Sequence, residues 1–168
     1  MTHRPRIHAA TRRCAGRSGF TYIELMVTLA ILAVLASVAL PYAQLTVQRS
    51  NEFELRRALR DIRTAIDAYK QAVNNGQIPG ATTSGYPANL DVLVNGVPNT
   101  QVPGTNVYFL RRIPSDPFAP NPSLPPDQQW GLRSYESSPT APKPGQDIFD
   151  VYSQSTGVGL NGIAYSNW

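Results

Sequence analysis

Residues 19–40 read GFTYIELMVTLAILAVLASVAL, an apolar stretch in which Glu24 is the only charged residue. A helix formed by the 21 residues from Phe20 to Leu40 would be about 31 Å long at 1.5 Å per residue. That length is enough to cross the apolar core of a bilayer. A carboxylate inside such a helix costs about 2.5 kcal/mol or more at the bilayer centre. Glu24 therefore indicates a partner for its charge, and it is the first functional residue that the sequence singles out.

The charge of the chain is concentrated before this stretch. Five arginines precede Gly19 with no acidic residue among them: Arg4, Arg6, Arg12, Arg13 and Arg17. The formal net charge is +4, yet residues 20–168 hold only ten of the 15 Lys and Arg against all 11 Asp and Glu, a net −1. A basic leader of this kind holds the N-terminus in the cytoplasm. The remainder lacks the basic face that nucleic-acid binding requires, so we expect a membrane protein without a nucleic-acid partner.

Three interpretations of the apolar stretch compete. A secretory signal peptide has a shorter apolar region and a small-x-small cleavage site, and the best such site, after Ala43, has Pro41 in place of a small residue. An uncleaved signal anchor accounts for the length and the arginines but not for Glu24. A signal cut on the cytoplasmic side between Gly19 and Phe20 accounts for the polar leader, the small residue before the cut and the carboxylate after it.

This pattern resembles the prepilin signal of type IV pilins and type II secretion pseudopilins. The resemblance implies that a membrane prepilin peptidase cuts after Gly19 and N-methylates Phe20, and that the mature subunit waits in the inner membrane before joining a helical filament. It also implies that Glu24 pairs with the terminal amine of a neighbouring subunit and so fixes the register between subunits. Pro41 matches a helix-loosening proline of the family. Because proline lacks a backbone donor, a kink or a melted turn is expected there.

A second helical pattern follows Pro41. Six apolar residues, which we call the apolar seam, recur at intervals of three and four, as is typical of an amphipathic helix: Leu55, Leu59, Ile62, Ile66, Tyr69 and Val73. We expect the seam to pack on the C-terminal part of the same chain; a coiled-coil partner is the alternative. Oppositely charged residues four apart are expected to pair on the solvent side: Glu52–Arg56, Arg57–Asp61 and Arg63–Asp67. Asn and Gly at residues 74–76 predict the end of the helix.

The segment from Gly76 to Trp168 has a different composition. Eleven of the 15 prolines lie between Pro98 and Pro144, which argues against long helices there. Tyr86–Val94 could form a short helix or turn, and three runs rich in β-formers predict strands: Val107–Arg112, Gly131–Glu136 and Ile148–Ser153. We therefore predict an α+β pilin fold, with one long N-terminal helix, transmembrane and then amphipathic, packed on a small C-terminal antiparallel sheet with Pro-rich loops. The expected divisions are a removed leader (1–19), a transmembrane half-helix (20–40), an amphipathic half-helix (41–75) and a globular periplasmic α+β domain (76–168).

Motifs in the C-terminal part carry a second resemblance. The stretches YPANLDVLV (86–94) and LRRIPSDPF (110–118) resemble a segment of the major, G-type pseudopilin, and DIFDVYS (147–153) with YSNW (165–168) resembles its closing strand and C-terminal end. The one cysteine, Cys14, would leave with the leader. The mature domain would then lack an internal disulfide, which argues against an adhesive pilin in an oxidising periplasm.

The resemblance to major pseudopilins also implies a calcium ion held by an aspartate-rich loop. Residues 153–162 contain no carboxylate, whereas calcium takes about six to eight oxygen ligands, several of them carboxylates. Asp147, Asp150 and Asn161 are weak candidates for such a site, but we expect no metal and no other cofactor. We expect instead that residues 153–162 form a Gly-rich loop, the closing loop, held by hydrogen bonds and by the packing of Trp168.

No combination of residues indicates catalysis, and we expect no enzyme. Both histidines, His3 and His8, lie in the leader, so the mature chain would have no His or Cys for nucleophilic or metal chemistry. Asp116 and Asp127 lie in Pro-rich loops and are interpreted as turn formers.

We expect a structural filament subunit: a pseudopilin of a type II secretion system that polymerises through its N-terminal helix into a periplasmic pseudopilus and helps to export folded proteins. It would cross the inner membrane once, with its N-terminus in the cytoplasm and its C-terminal domain in the periplasm. The implied partners are further copies, other pseudopilins, the prepilin peptidase, and the assembly platform with its ATPase. The alternatives are a minor or type IV pilin of a surface pilus, for adhesion, motility or DNA uptake, and a membrane-anchored periplasmic binding module that does not polymerise.

Overall fold

A computed structural model describes residues 19–168, and of residues 38–41 it describes the backbone alone. The leader up to residue 18, with Cys14, His3 and His8, lies outside the described residues. The chain divides into two compact units, Met1–Ala43 and Gln44–Trp168.

One helix, α1, forms most of the described part of the first unit and continues into the second. It spans Tyr22–Asn74, which confirms the predicted long N-terminal helix. It continues without a break through Pro41, so the melted turn predicted there is not found in the described backbone. A proline removes one helical donor, and the backbone nevertheless stays helical on both sides of Pro41.

The end of α1 lies where the sequence predicts it. The amide of Gly76 donates to the carbonyl of Val73 at 2.9 Å, and the amide of Gln77 donates to that of Ala72 at 2.8 Å. These two bonds form a Schellman motif, which places a left-handed residue just after the helix. Gly76 fills that position with a φ of 64°.

The apolar seam of α1 lies in the core of the second unit. Five of its six members are at most 2% exposed: Leu55, Leu59, Ile62, Ile66 and Tyr69. They form one hydrophobic cluster with residues from the C-terminal part of the chain, among them Leu93, Trp130, Ile148 and Val151. The seam therefore packs on the chain's own C-terminal part, as predicted.

Four short strands form two separate antiparallel pairs rather than one sheet. Strand β1 (Val97–Pro98) pairs with β2 (Asn106–Val107), and β3 (Trp130–Arg133) pairs with β4 (Asp150–Ser153). A short helix, α2 (Asp91–Asn95), precedes β1. Two 3₁₀ turns, Pro126–Gln128 and Tyr165–Asn167, complete the secondary structure of the described residues.

The predicted strand Val107–Arg112 is wrong beyond its first residue. The amides of Phe109 and Leu110 both donate to the carbonyl of Leu93, at 3.0 and 2.9 Å. The chain therefore turns around the end of α2 instead of continuing along β1. A composition rich in β-formers cannot reveal this competing acceptor. The other two predicted strands exist in shorter form, as β3 and β4.

Candidate functional site

The predicted processing site lies immediately before α1. Gly19 and Phe20 are exposed and non-helical, and Phe20 is 81% exposed. Exposed backbone outside regular structure is the kind that proteases cut. The Gly19–Phe20 bond is thus accessible on the described chain.

Thr21 caps α1 and gives Glu24 a local role. The Thr21 hydroxyl accepts the amide N–H of Glu24 at 3.3 Å, and the Thr21 carbonyl accepts the amide N–H of Leu25 at 3.1 Å. Glu24 therefore occupies the third helical position, where a carboxylate interacts favourably with the positive end of the helix. Sequence reasoning missed this role, although Thr followed three residues later by Glu is a capping-box pattern. The exposed carboxylate remains available to a second chain.

The apolar half of α1 has no protein packed around it. Every residue from Tyr22 to Ser37 is exposed, and the helix is long and apolar enough to cross a membrane. A helix that is apolar all round requires lipid or other apolar helices as its surroundings. This segment anchors the chain in a membrane. Pro41 directly follows it, and its side chain lies outside the described atoms.

The calcium candidates have protein partners instead. The Asp150 carboxylate accepts bonds from Arg63 Nε at 2.7 Å and from Arg133 Nη2 at 3.3 Å. The buried Asp147 carboxylate accepts bonds from the Ser84 hydroxyl and, at 2.9 Å, from the Tyr135 amide.

The third candidate also serves a local turn, since the side-chain oxygen of Asn161 accepts the amide N–H of Ile163 at 3.1 Å. Among the described residues, no group of three or more His, Cys, Asp or Glu is placed to hold a metal ion. Calcium therefore does not fit Asp147, Asp150 and Asn161, because the two carboxylates are committed to separate hydrogen-bond networks.

Arg63 connects α1 to the end of the chain. Besides its bond to Asp150, it donates from Nη2 to the backbone carbonyls of Val151 at 3.0 Å and Trp168 at 2.8 Å. The predicted Arg63–Asp67 pair is therefore wrong, because Arg63 points to β4. The predicted Arg57–Asp61 pair does form, at 3.8 Å and largely exposed.

A buried carboxylate on α1 holds the closing loop. Glu52 is 7% exposed, and its Oε1 accepts bonds from the amide of Leu160 at 2.8 Å, the hydroxyl of Tyr165 at 3.1 Å and Nε2 of Gln48 at 3.3 Å. The predicted Glu52–Arg56 pair is therefore wrong. The Arg56 guanidinium lies instead 4.2 Å above the ring centroid of Trp168. No sequence signal could have identified the contact with Leu160, because the two residues are 108 positions apart.

The Tyr165 hydroxyl donates to the Glu52 carboxylate and keeps its proton over a wide pH range. Burial raises the pKa of its phenol above the usual 10.0, the Glu52 carboxylate acts in the same direction, and the Gln48 hydrogen bond opposes them. The phenol therefore stays protonated until strongly alkaline pH. Its ring stacks on that of Phe118 with centroids 4.1 Å apart and meets the edge of Trp168 at 5.0 Å. Hydrogen bonds and aromatic packing together hold the closing loop, as the sequence predicts.

The two aspartates of the Pro-rich loops, Asp116 and Asp127, both lie in local turns. Asp116 is buried, and its carboxylate accepts the amide N–H of Phe118 at 2.8 Å and the hydroxyl of Ser153 at 2.6 Å. The first bond is a side-chain turn of the predicted kind. Asp127 lies within the 3₁₀ turn Pro126–Gln128.

Comparison with known proteins agrees with this geometry. The sequence model of the family described as "Prokaryotic N-terminal methylation motif" matches residues 14–40. The type II secretion system core protein G of Aeromonas hydrophila is 32% identical over 106 residues, which cover 61% of this chain and 68% of that protein. The fimbrial protein of Neisseria meningitidis serogroup B is 33% identical over 102 residues, covering 54% of this chain and 58% of that protein. No solved structure matches the chain significantly.

Proposed function

We propose, because this chain belongs to the family of the type II secretion system core protein G, that it is a pseudopilin whose N-terminal helix assembles into a periplasmic filament that helps to export folded proteins. One observation carries the proposal: the apolar half of α1, which has no protein around it, begins two residues after the exposed, non-helical Gly19–Phe20 bond and carries a single charge, Glu24. The family is structural rather than enzymatic.

Processing supplies the partner for that charge. Prepilin peptidase cuts between Gly19 and Phe20 and N-methylates Phe20, which leaves a cationic amine four residues before Glu24. The accessibility of the bond and the match to the methylation motif support this step.

Assembly pairs the Glu24 carboxylate of one subunit with the Phe20 amine of its neighbour. In the apolar interior of a filament, each charge without its counterpart would cost several kcal/mol, so the pairing fixes the axial register between subunits. Pro41 lacks one backbone donor, which lets the helix adjust locally when subunits pack together.

Topology and partners follow from the same arrangement. The arginine-rich leader stays in the cytoplasm, residues 20–40 cross the inner membrane once, and the C-terminal domain lies in the periplasm. The partners are further copies of this chain, other pseudopilins, the prepilin peptidase, and the inner-membrane assembly platform with its ATPase. We expect no metal partner for the closing loop.

The test combines mass spectrometry of the mature N-terminus with shear fractionation of filaments from an overexpressing strain. We expect wild type and Glu24→Ala alike to begin with N-methylated Phe20 and to reside in the membrane. Glu24→Ala should lower the filament yield roughly tenfold or more, because an unpaired buried charge costs about 3–5 kcal/mol and about 1.4 kcal/mol is a factor of ten. Glu54→Ala, which removes an exposed carboxylate of α1, is the matched control. Wild-type filament yield from Glu24→Ala would refute assembly through this residue and favour a binding module that does not polymerise.

Similarity to the fimbrial protein favours a second candidate function, a minor or type IV pilin of a surface pilus for adhesion, motility or DNA uptake. The neighbouring genes separate the two. Genes for a secretin, an assembly ATPase and exported proteins would support secretion, whereas a gene for a retraction ATPase would support the pilus.

A further inference from the structure

The closing loop donates hydrogen bonds to carboxylates that lie outside it. The amide of Leu160 donates to Oε1 of Glu52 at 2.8 Å, and the hydroxyl of Ser153 donates to the carboxylate of Asp116 at 2.6 Å. A calcium site has the opposite polarity, because it surrounds the ion with oxygen ligands that include several carboxylates. The loop itself contains no carboxylate, so its polar contacts suit an anion rather than a cation.

The side-chain oxygens of the loop are used by amides of the same part of the chain. The hydroxyl of Ser153 accepts the amide N–H of Ser155 at 3.1 Å, and the hydroxyl of Ser155 accepts that of Gly157 at 3.2 Å. The side-chain oxygen of Asn161 accepts the amide N–H of Ile163 at 3.1 Å. A cation would compete with these amides for the oxygens, and each amide that lost its acceptor would destabilise the loop.

Glu52 provides the anion for this loop from α1. Its side chain is 7% exposed, and the one oxygen Oε1 gathers three neutral donors, from Leu160, Tyr165 and Gln48. Hydrogen bonds to an ionised acceptor are roughly twice as strong as those between neutral groups. One carboxylate therefore joins α1, the closing loop and the 3₁₀ turn that follows the loop, which is what a bound ion would do.

We propose that the Glu52 carboxylate takes the place of the calcium ion that the resemblance to major pseudopilins implies, and locks the closing loop onto α1 without a metal. The charge that holds the loop belongs to the chain itself, so the loop closes when the chain folds, at any calcium concentration. The consequence for assembly rests on the proposed function: this subunit becomes competent to polymerise without calcium.

The test follows hydrogen exchange of the Leu160 amide in the full chain in detergent, with excess calcium chloride or with excess chelator. Glu52→Ala should accelerate exchange at least about fivefold relative to wild type, since the amide loses its acceptor. The acceleration should be the same in both solutions. Glu54→Ala, which removes an exposed carboxylate of the same helix, is the matched control. Glu52→Gln keeps one acceptor oxygen and should accelerate exchange less, which retains the comparison if the Ala variant fails to fold.

Three results would overturn the lock. The first is exchange in wild type that slows on adding calcium but not magnesium. The second is recovery of Glu52→Ala, or of Glu52→Gln, on adding calcium. The third is exchange at the wild-type rate in both Glu52 variants.

Shear fractionation of the overexpressing strain tests the consequence for assembly, with and without chelator in medium that holds excess magnesium. We expect equal filament yields. A loss of filaments that added calcium restores would overturn calcium-independent assembly. Absence of filaments in both media would overturn the proposed function and leave the lock, which hydrogen exchange measures, intact.

Discussion

Removing the Glu52 carboxylate should open the closing loop without disturbing the rest of the second unit. The informative changes are Glu52→Ala, which deletes the acceptor, and Glu52→Gln, which keeps one acceptor oxygen and removes the charge. Glu54→Ala is the matched control, because Glu54 lies two residues away on the same helix and is exposed.

The expected magnitude follows from the donors that would lose their acceptor. Glu52→Ala leaves the Leu160 amide and the Tyr165 hydroxyl unpaired, and a buried donor without a partner costs about 1–3 kcal/mol. Gln48 can turn to solvent, so the two remaining donors give an expected loss of stability of about 2–6 kcal/mol. Glu52→Gln should cost about 1 kcal/mol, and Glu54→Ala at most about 0.5 kcal/mol.

Urea denaturation of the fragment Gln44–Trp168 measures the free energy of unfolding, and hydrogen exchange reports on the Leu160 amide. Glu52→Ala should lower the free energy of unfolding by the amount given above. It should also accelerate hydrogen exchange of the Leu160 amide relative to wild type and Glu54→Ala. If Glu52→Ala and Glu54→Ala have equal stability and the Leu160 amide remains protected, the carboxylate does not hold the loop and the reasoning fails.

Three further outcomes are expected. Because the folded state holds the Tyr165 proton more tightly than the unfolded state, stability should be constant just below pH 10 and fall above it; an equally steep fall in Tyr165→Phe would contradict this. Adding a calcium chelator should leave the thermal midpoint unchanged, and a drop of several degrees would reveal a metal site. Arg63→Ala should lower the free energy of unfolding by about 1–2 kcal/mol, because it removes partly exposed hydrogen bonds to Asp150 and to the backbone. Arg57→Ala removes only an exposed ion pair and should cost less than about 0.5 kcal/mol. Equal losses in the two variants would count against the Arg63 contacts.

The sequence predicts those parts of the fold that depend on local spacing. The apolar seam, the helix end at Gly76 and the apolar anchor all follow from periodicity or from single residues with special backbone freedom. For the same reason, the fold class and the position of the Gly19–Phe20 bond before the helix can be predicted without a structure.

Partners distant in sequence could not be predicted. Glu52, Arg56 and Arg63 each have an oppositely charged residue four positions away, which favours exposed pairs on a lone helix. In the folded chain the Glu52 carboxylate accepts hydrogen bonds from Leu160 and Tyr165, and Arg63 donates to Asp150. These partners lie 87 to 113 positions away along the chain. These contacts with a folded loop outweigh a weak ion pair on the helix surface. The spacing of charged residues along α1 cannot predict them.

The same long separations set an order of events during synthesis. Glu52 meets Leu160 across 108 residues, and Arg63 meets Trp168 across 105. Contacts of such separation form late, because closing a long loop costs entropy before any bond is made. A chain whose part after the anchor crosses the membrane in sequence order would wait with its core open until these distal residues emerged. Stalled or truncated chains would thus never close, and completion of translocation would itself decide which subunits become competent to polymerise.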